Sequence, residues 1–186
     1  GKDVFGKVIQ AKRGKPLPPL AGRGFEKSAD GLLYVATIDG KIEKNKNRIL
    51  INPVLEINGD VDVGTGNIDF IGDVIVHGNV RAGARIMSSQ SITVDGICEG
   101  CVLEAGKDII LRSGMIGRNK ARLIVKGNLF AKFIEYTEVN VEGYVEADSA
   151  VNSIIVSNDM VLFKGGHASI VGGKVYGCAG IEVANL

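Results

Sequence analysis

Four carboxylates stand close together in this chain: Asp60, Asp62, Asp69 and Asp73. Carboxylates gathered on one face, with or without Ca²⁺, are what sugar-cleaving enzymes of the β-helix type work with. Here Asp60 and Asp73 each follow a glycine, where an aspartate caps a turn by bonding its own backbone. Such an enzyme also needs long loops to wall a cleft, and the coil spacing derived below leaves no room for them. Cys98 and Cys101 form a single C-x-x-C. A structural zinc site takes about four ligands, and neither His77 nor His167 stands at a supporting spacing. The two therefore read as core thiols. His77 follows an inward Val76 and reads as solvated surface. Gly64-Thr65-Gly66 leads into a strand, so it lacks the helix N-terminus that phosphate loops use. No residue is assigned to catalysis, to a metal or to a cofactor.

What positions all of these groups is a repeat. Leu55 to Val61, Ile68 to Val74, Val74 to Val80, Ile92 to Cys98, Leu123 to Leu129 and Val139 to Val145 share one form: apolar, any, apolar, any, Gly, any, apolar. Alternation of period two marks one buried strand face. The glycine marks a place where a Cβ would crowd neighbouring backbone or block a bend. Taking unit starts at Val74, Ile92, Ile109, Leu123, Val139 and Ile154 gives unequal intervals and no six-residue step. That excludes the hexapeptide type of solenoid and points to a right-handed parallel β-helix. A coil cannot bury its inward side chains alone, so the core comes from stacking. The chain is expected to be all-β, a β-solenoid over 53–186 of roughly seven or eight coils.

Residues 1–52 lack the repeat and read as a small antiparallel β domain that caps the first coil. Val4 to Ile9 is a short strand pair or bend. Asp30-Gly31 is a turn. Leu32 to Ile38 returns through an Asp39-Gly40 hairpin turn to Lys41-Ile42-Glu43, and Arg48 to Ile51 follows. All four prolines lie at or before Pro53, which suits an uninterrupted ladder beyond it. Ala131 to Tyr136 reads as a strand and corner. Ile154 to Val156 and Met160 to Leu162 read as strands.

Hydrophobic residues make up 45% of the 186, but aromatics only 5% with no Trp, so the core is aliphatic. Residues 1–50 hold 11 Lys/Arg against 5 Asp/Glu, a net +6; the remainder holds 11 against 16, a net −5. A basic head on an acidic rod fits protein partners, and the overall +1 gives no argument for nucleic acid. Nothing resembles a signal peptide or a membrane span, so a cytoplasmic location is expected. Lys12, Arg13, Lys15 and Arg23 cluster around the Pro/Gly loop and are candidate partner-binding residues. Ile75, Ile110, Ile124 and Ile155 are read as outward β-branched positions forming an apolar lateral stripe, suited to a partner or to a second copy.

Several stretches resemble one family. Thr65-Gly66-Asn67-Ile68-Asp69-Phe70, with Gly72-Asp73-Val74 behind it, looks like the entry to the solenoid of the flagellar assembly protein A (FapA) family. Ala131-Lys132-Phe133-Ile134-Glu135 resembles a later segment. Gly165-Gly166 with Ile170-Val171-Gly172-Gly173 resembles its C-terminal coils. Val4 to Ile9, Gly14-Lys15 and Asp39-Gly40-Lys41-Ile42 are similar to the domain that precedes that solenoid. The resemblance implies a bacterial, cytoplasmic, non-enzymatic protein linked to flagellar assembly and cell-pole organisation, with no catalytic residues to carry over. It also implies a helical tail beyond Ile181-Glu182-Val183, so the chain is expected to be a fragment. The competing reading is a carbohydrate-binding or polysaccharide-active β-helix using the acidic face.

Overall fold

A computed structural model describes residues 1–11, 14, 19–46, 48–166 and 168–185. These residues contain strands, bridges and turns and no helix, hence none long and apolar enough to cross a membrane. The head begins with a minimal hairpin in which Lys2 bridges Val8. Its turn is set by Asp3, whose Oδ1 accepts the N–H groups of Phe5 and Lys7 at 3.0 and 2.9 Å. Strands β1 (Ala21–Arg23), β4 (Lys41–Asn45) and β5 (Arg48–Asn52) form one sheet in the order β1-β5-β4. Strands β2 (Phe25–Lys27) and β3 (Tyr34–Ala36) form an antiparallel pair.

The hairpin expected across Asp39-Gly40 is therefore a correction: β3 pairs backwards with β2, and β4 pairs forwards with β5. The turn that decides this lies at Ser28–Leu33. There the Ser28 hydroxyl donates to Asp30 and accepts from the Leu33 N–H, so Asp30-Gly31 outcompetes Asp39-Gly40 as the reversal point.

From Pro53 onward every strand pairing is parallel. The coils present three faces. On the first face the inward positions Leu55, Val74, Ile92, Ile109, Leu129, Val145, Val161 and Ile181 stack in register, 16 to 20 residues apart. That is about seven turns. On the second face Val61, Val80, Cys98, Met115, Ile134, Ala150 and Ile170 stack. On the third, Ile68, Ile86, Leu103, Leu123, Val139, Ile155 and Val175 do. The buried core is aliphatic apart from Phe163, the sulfur-bearing Cys98, Cys101 and Met115, and a few small hydroxyl residues. Leu55, Ile57, Ile68 and Phe70 of the first coil are only half-buried, so the cover supplied by the head is partial.

The glycine motif occurs at two different corners. Gly59, Gly78 and Gly96 turn the chain from the first face to the second. Gly72, Gly127 and Gly143 turn it from the third back to the first. The unit starts Val74, Ile92 and Ile109 thus belong to one face, and Leu123 and Val139 to another. A Cβ on Gly143 would come within 2.6 Å of the Gly127 carbonyl oxygen in the coil below, which is the close approach the motif implied.

Candidate interaction surface

The carboxylates that suggested catalysis are parts of the stacking machinery. Asp60 Oδ1 accepts the N–H and the side-chain amide of Asn79 in the next coil, at 2.8 and 3.0 Å. Asn79 Oδ1 in turn accepts the Ile97 N–H at 2.9 Å. Asp73 accepts from Ser91, Asp108 from Asn128, and Asn128 from Tyr144 in the same way. The expected cap on each residue's own turn is thus a bond to the following coil. Asp62 alone caps locally, accepting the Thr65 N–H at 2.8 Å. Asp69 stands outward on the third face, beside Met87.

The electrostatics follow the same lines. The Asn79 N–H, and after it the Arg81 guanidinium at 2.7 Å, hold the Asp60 carboxyl below its usual range. Thr65 does the same for Asp62. Arg81 also reaches Glu99 at 3.1 Å, and Arg118 reaches Glu99 at 3.6 Å, so one line of alternating charge climbs the second face. His77 is not simply solvated: its Nδ1 lies 2.8 Å from Asp95, which also meets Arg112 at 3.2 Å. Among the described residues no group of three or more His, Cys, Asp or Glu converges as a metal site would require. Cys98 and Cys101 are wholly buried and Cys178 is exposed. The Cys101 contact and burial push the Cys98 thiol well above its ordinary range.

The candidate binding residues are dispersed. Lys12, Arg13 and Lys15 lie outside the described residues. Arg23 is exposed on β1 and shares a hollow on the three-stranded sheet with Lys44 and Arg48. Ile75 and Ile110 are half-buried outward residues of the first face, whereas Ile124 belongs to the third. Ile155 is a correction. It points inward and is fully buried, with Ile154 and Val156 turned outward instead. The phase shifts by one residue because Ser157, not an aliphatic residue, fills the second inward position. Its hydroxyl donates to the Gly143 carbonyl at 2.7 Å, so the site is satisfied without an apolar side chain.

A concavity on the solenoid lies along the corner between the second and third faces. Chain geometry makes it. At that corner the coils with Gly83, Gly100, Tyr136 and Asn152 turn through one left-handed residue each, and the coil after Val171 turns through two, Gly172 and Gly173. The coil that begins at Ile109 instead inserts Gly117 to Lys120 between paired residues Ile116 and Ala121, with Arg118 and Asn119 both left-handed. The projecting bulge walls a groove of about 640 Å³. Val102, Ile124 and Ile154 give it an apolar floor. Two ion pairs between coils, Arg85–Glu104 at 3.3 Å and Arg122–Glu138 at 2.9 Å, cross it. Tyr136, 40% exposed, stands at one side. Thr137 in this lining is buried, and its hydroxyl donates to the Glu135 carbonyl at 2.8 Å. Such a surface can bury apolar side chains of a partner and fix their register with its charges.

Sequence reading missed this groove. Its signal was the length of the coil from Ile109 to Leu129, visible only once the two corners are told apart. Left-handed Tyr136 has no signal in sequence at all, since bulky residues rarely adopt that conformation.

Two family models match. The flagellar assembly protein A β-solenoid domain matches residues 53–186. The flagellar assembly protein A N-terminal region matches residues 1–47. No curated protein and no solved structure matches this chain. With the parallel ladders beginning where the first of these matches begins, and the second preceding it in order, the chain belongs to the flagellar assembly protein A family.

Proposed function

We propose that this chain is a non-enzymatic scaffold that binds proteins of the bacterial flagellar or polar machinery in the cytoplasm. Family membership supports the flagellar role. The observation that carries the scaffold reading is how the reactive groups are used. Asp60, Asp73 and Asp108 are bound to the next coil's backbone, and the buried thiols face the core. Among the described residues no buried side-chain N or O atom lacks a hydrogen-bond partner. What remains for a partner is shape, apolar surface and paired charge on a stacked, hydrogen-bonded rod, a format suited to protein contact. In this reading the division falls at Pro53. Residues 1–52 act as a basic docking head, through Lys12, Arg13, Lys15 and Arg23, and the groove beside Tyr136 and Ile124 is a second contact.

The test is genetic. In the bacterium that makes this protein, removal of residues 53–186 is expected to reduce the number of flagella per cell, counted by electron microscopy. Ile154→Asp, which charges the groove floor without touching the core, is expected to reproduce part of that loss at unchanged protein level. Normal flagellation in cells lacking the solenoid would overturn the reading.

A further inference from the structure

The coil that throws out the bulge also departs from the rod in charge. Residues 51–186 carry a net −5, yet 109–128 hold Arg112, Arg118, Lys120, Arg122 and Lys126 and no Asp or Glu. Strain gathers at the same place. Five non-glycine residues among those described have a left-handed backbone, and four of them, Arg118, Asn119, Tyr136 and Asn152, form the bulge or line the groove. Such residues persist where a site holds them. Within the groove, Glu104 is met by Arg85 and Glu138 by Arg122. Lys120, exposed on the bulge, pairs with no acid among the described residues. Glu99 in the coil below is shared by Arg81 and Arg118. Glu135 and Glu142 of the coil above do not line the groove. The uncompensated charge inside it is therefore positive, over the apolar floor of Val102, Ile124 and Ile154.

Shape sets the conformation of what can lie there. Arg85, Val102, Arg122, Glu138 and Ile154 stand on five successive rungs, so the groove runs about 19 Å along the rod at about 4.8 Å per rung. Its volume of about 640 Å³ over that length leaves a cross-section of about 34 Å². One extended chain fits. A helix, about 10 Å across with its side chains, needs more than twice that area.

We propose that this groove binds an extended segment of another protein, about six residues long at about 3.4 Å each, apolar at alternate positions and acidic between them. The segment runs along the rod. Its apolar side chains rest on Val102, Ile124 and Ile154, and a carboxylate between two of them meets Lys120 Nζ. Val102 and Ile154 are three rungs apart, about 14 Å, which four residues of extended chain span. Apolar burial supplies the affinity. The lysine fixes register and turns away basic segments. This inference rests on the reading of the groove as a protein contact and names the chemistry of its partner.

The test uses the full chain and a fluorescent peptide, Ser-Leu-Glu-Leu-Glu-Leu-Ser, beside a counterpart with lysine at both glutamate positions, followed by fluorescence anisotropy. The acidic peptide is expected to bind at least tenfold more tightly. Lys120→Glu is expected to reverse that order. Lys132→Glu makes the same charge change on the first face, outside the groove, and is expected to leave both affinities unchanged. Ile154→Asp is expected to weaken the acidic peptide at least tenfold, with an unchanged far-ultraviolet spectrum to show that the coils are intact. Equal affinity for the two peptides, or an unaltered order in Lys120→Glu, overturns the choice of charge. Tighter binding by the acidic peptide locked as a helix overturns the extended conformation. No binding of the acidic peptide at millimolar concentration overturns the proposal. Loss of flagella on removal of residues 53–186 would still leave the wider scaffold reading standing.

Discussion

Replacing Gly78 by Ala isolates the contact that makes these coils stack. On backbone grounds the change favours the protein: Gly78 does not have a left-handed φ, and Gly→Ala at a compatible site stabilises by about 0.4–1 kcal/mol through the unfolded chain. The neighbouring coil decides otherwise. A Cβ on Gly78 would fall 2.5 Å from the carbonyl carbon and oxygen of Gly59 and 2.6 Å from the Asp60 nitrogen. Comfortable carbon contacts need about 3.5–4.0 Å, so the two coils must part by about 1 Å. The bonds stretched by that movement are the ones that hold the corner: His77 N–H to Ile57 O at 2.9 Å, and Asn79 N–H to Asp60 Oδ1 at 2.8 Å. Overpacking costs about 1–3 kcal/mol and a weakened hydrogen bond about 0.5–1.5 kcal/mol. With both bonds weakened the cost is about 2–6 kcal/mol, which outweighs the backbone gain and leaves a loss of about 1–6 kcal/mol. For a chain of this length that lowers the melting temperature by at least about 2–4 °C.

The control is Gly59, at the same position of the same motif in the first coil. A Cβ there meets nothing within 4 Å, so Gly59→Ala is expected to stay within about 0.5 kcal/mol of the parent. Both are read by guanidinium unfolding followed by circular dichroism. If Gly78→Ala is as stable as Gly59→Ala, backbone approach between coils is not what the motif encodes.

Ser157→Ala removes a fully buried hydroxyl that donates to Gly143 and accepts from the Asp159 N–H at 3.0 Å; a loss of about 1–3 kcal/mol is expected in the same unfolding assay. A chromogenic disulfide reagent is expected to titrate one thiol, Cys178, in the native chain, and all three after unfolding. The raised Cys98 pKa adds a pH effect: the folded state favours the neutral thiol, so stability is complete below about pH 8.5 and falls as pH rises above it. Asp60 runs the other way. Its folded pKa is depressed, so its contribution is present above about pH 4 and is lost as pH falls through the folded value. Asp60→Asn is expected to flatten the acid limb of a stability–pH curve. Tyr136→Gly is expected to relieve left-handed strain (φ 48°) and raise stability by about 1 kcal/mol. It also strips the side wall of the groove, so a gain in stability with a loss of flagellation would separate fold from function.

The solenoid was legible in the sequence because period two and glycine at close approach are both local signals. Val74, Val76, Ile92 and Val94 read as inward and are fully buried. The head was less legible. Asp30-Gly31 and Asp39-Gly40 are equally good turn signals, and only the Ser28 hydroxyl bonds favour the first. The charge ladders were not legible, because Arg81 finds Asp60 and Glu99 only through coil lengths that differ from one turn to the next.

Ile155 shows where local reading stops and what replaces it. In Ile154-Ile155-Val156 every residue is aliphatic, so alternation cannot say which one faces the core. The register settles it: Ile155 stacks on Val139 and Ser157 on Val141, and a buried serine is tolerated because a corner carbonyl needs a donor. The same dependence governs the outer surface. Ile75 and Ile110 share a face with Phe130 and Leu162, while Ile124 does not, although all are apolar and outward. A surface on such a rod is therefore a property of coil length. Inserting one residue within the strand Ile109–Leu111 would turn Ile110 into the core and Ile109 or Leu111 out of it, so it is expected to unfold the chain at much lower guanidinium than the same insertion at a corner, where the register on either side is kept.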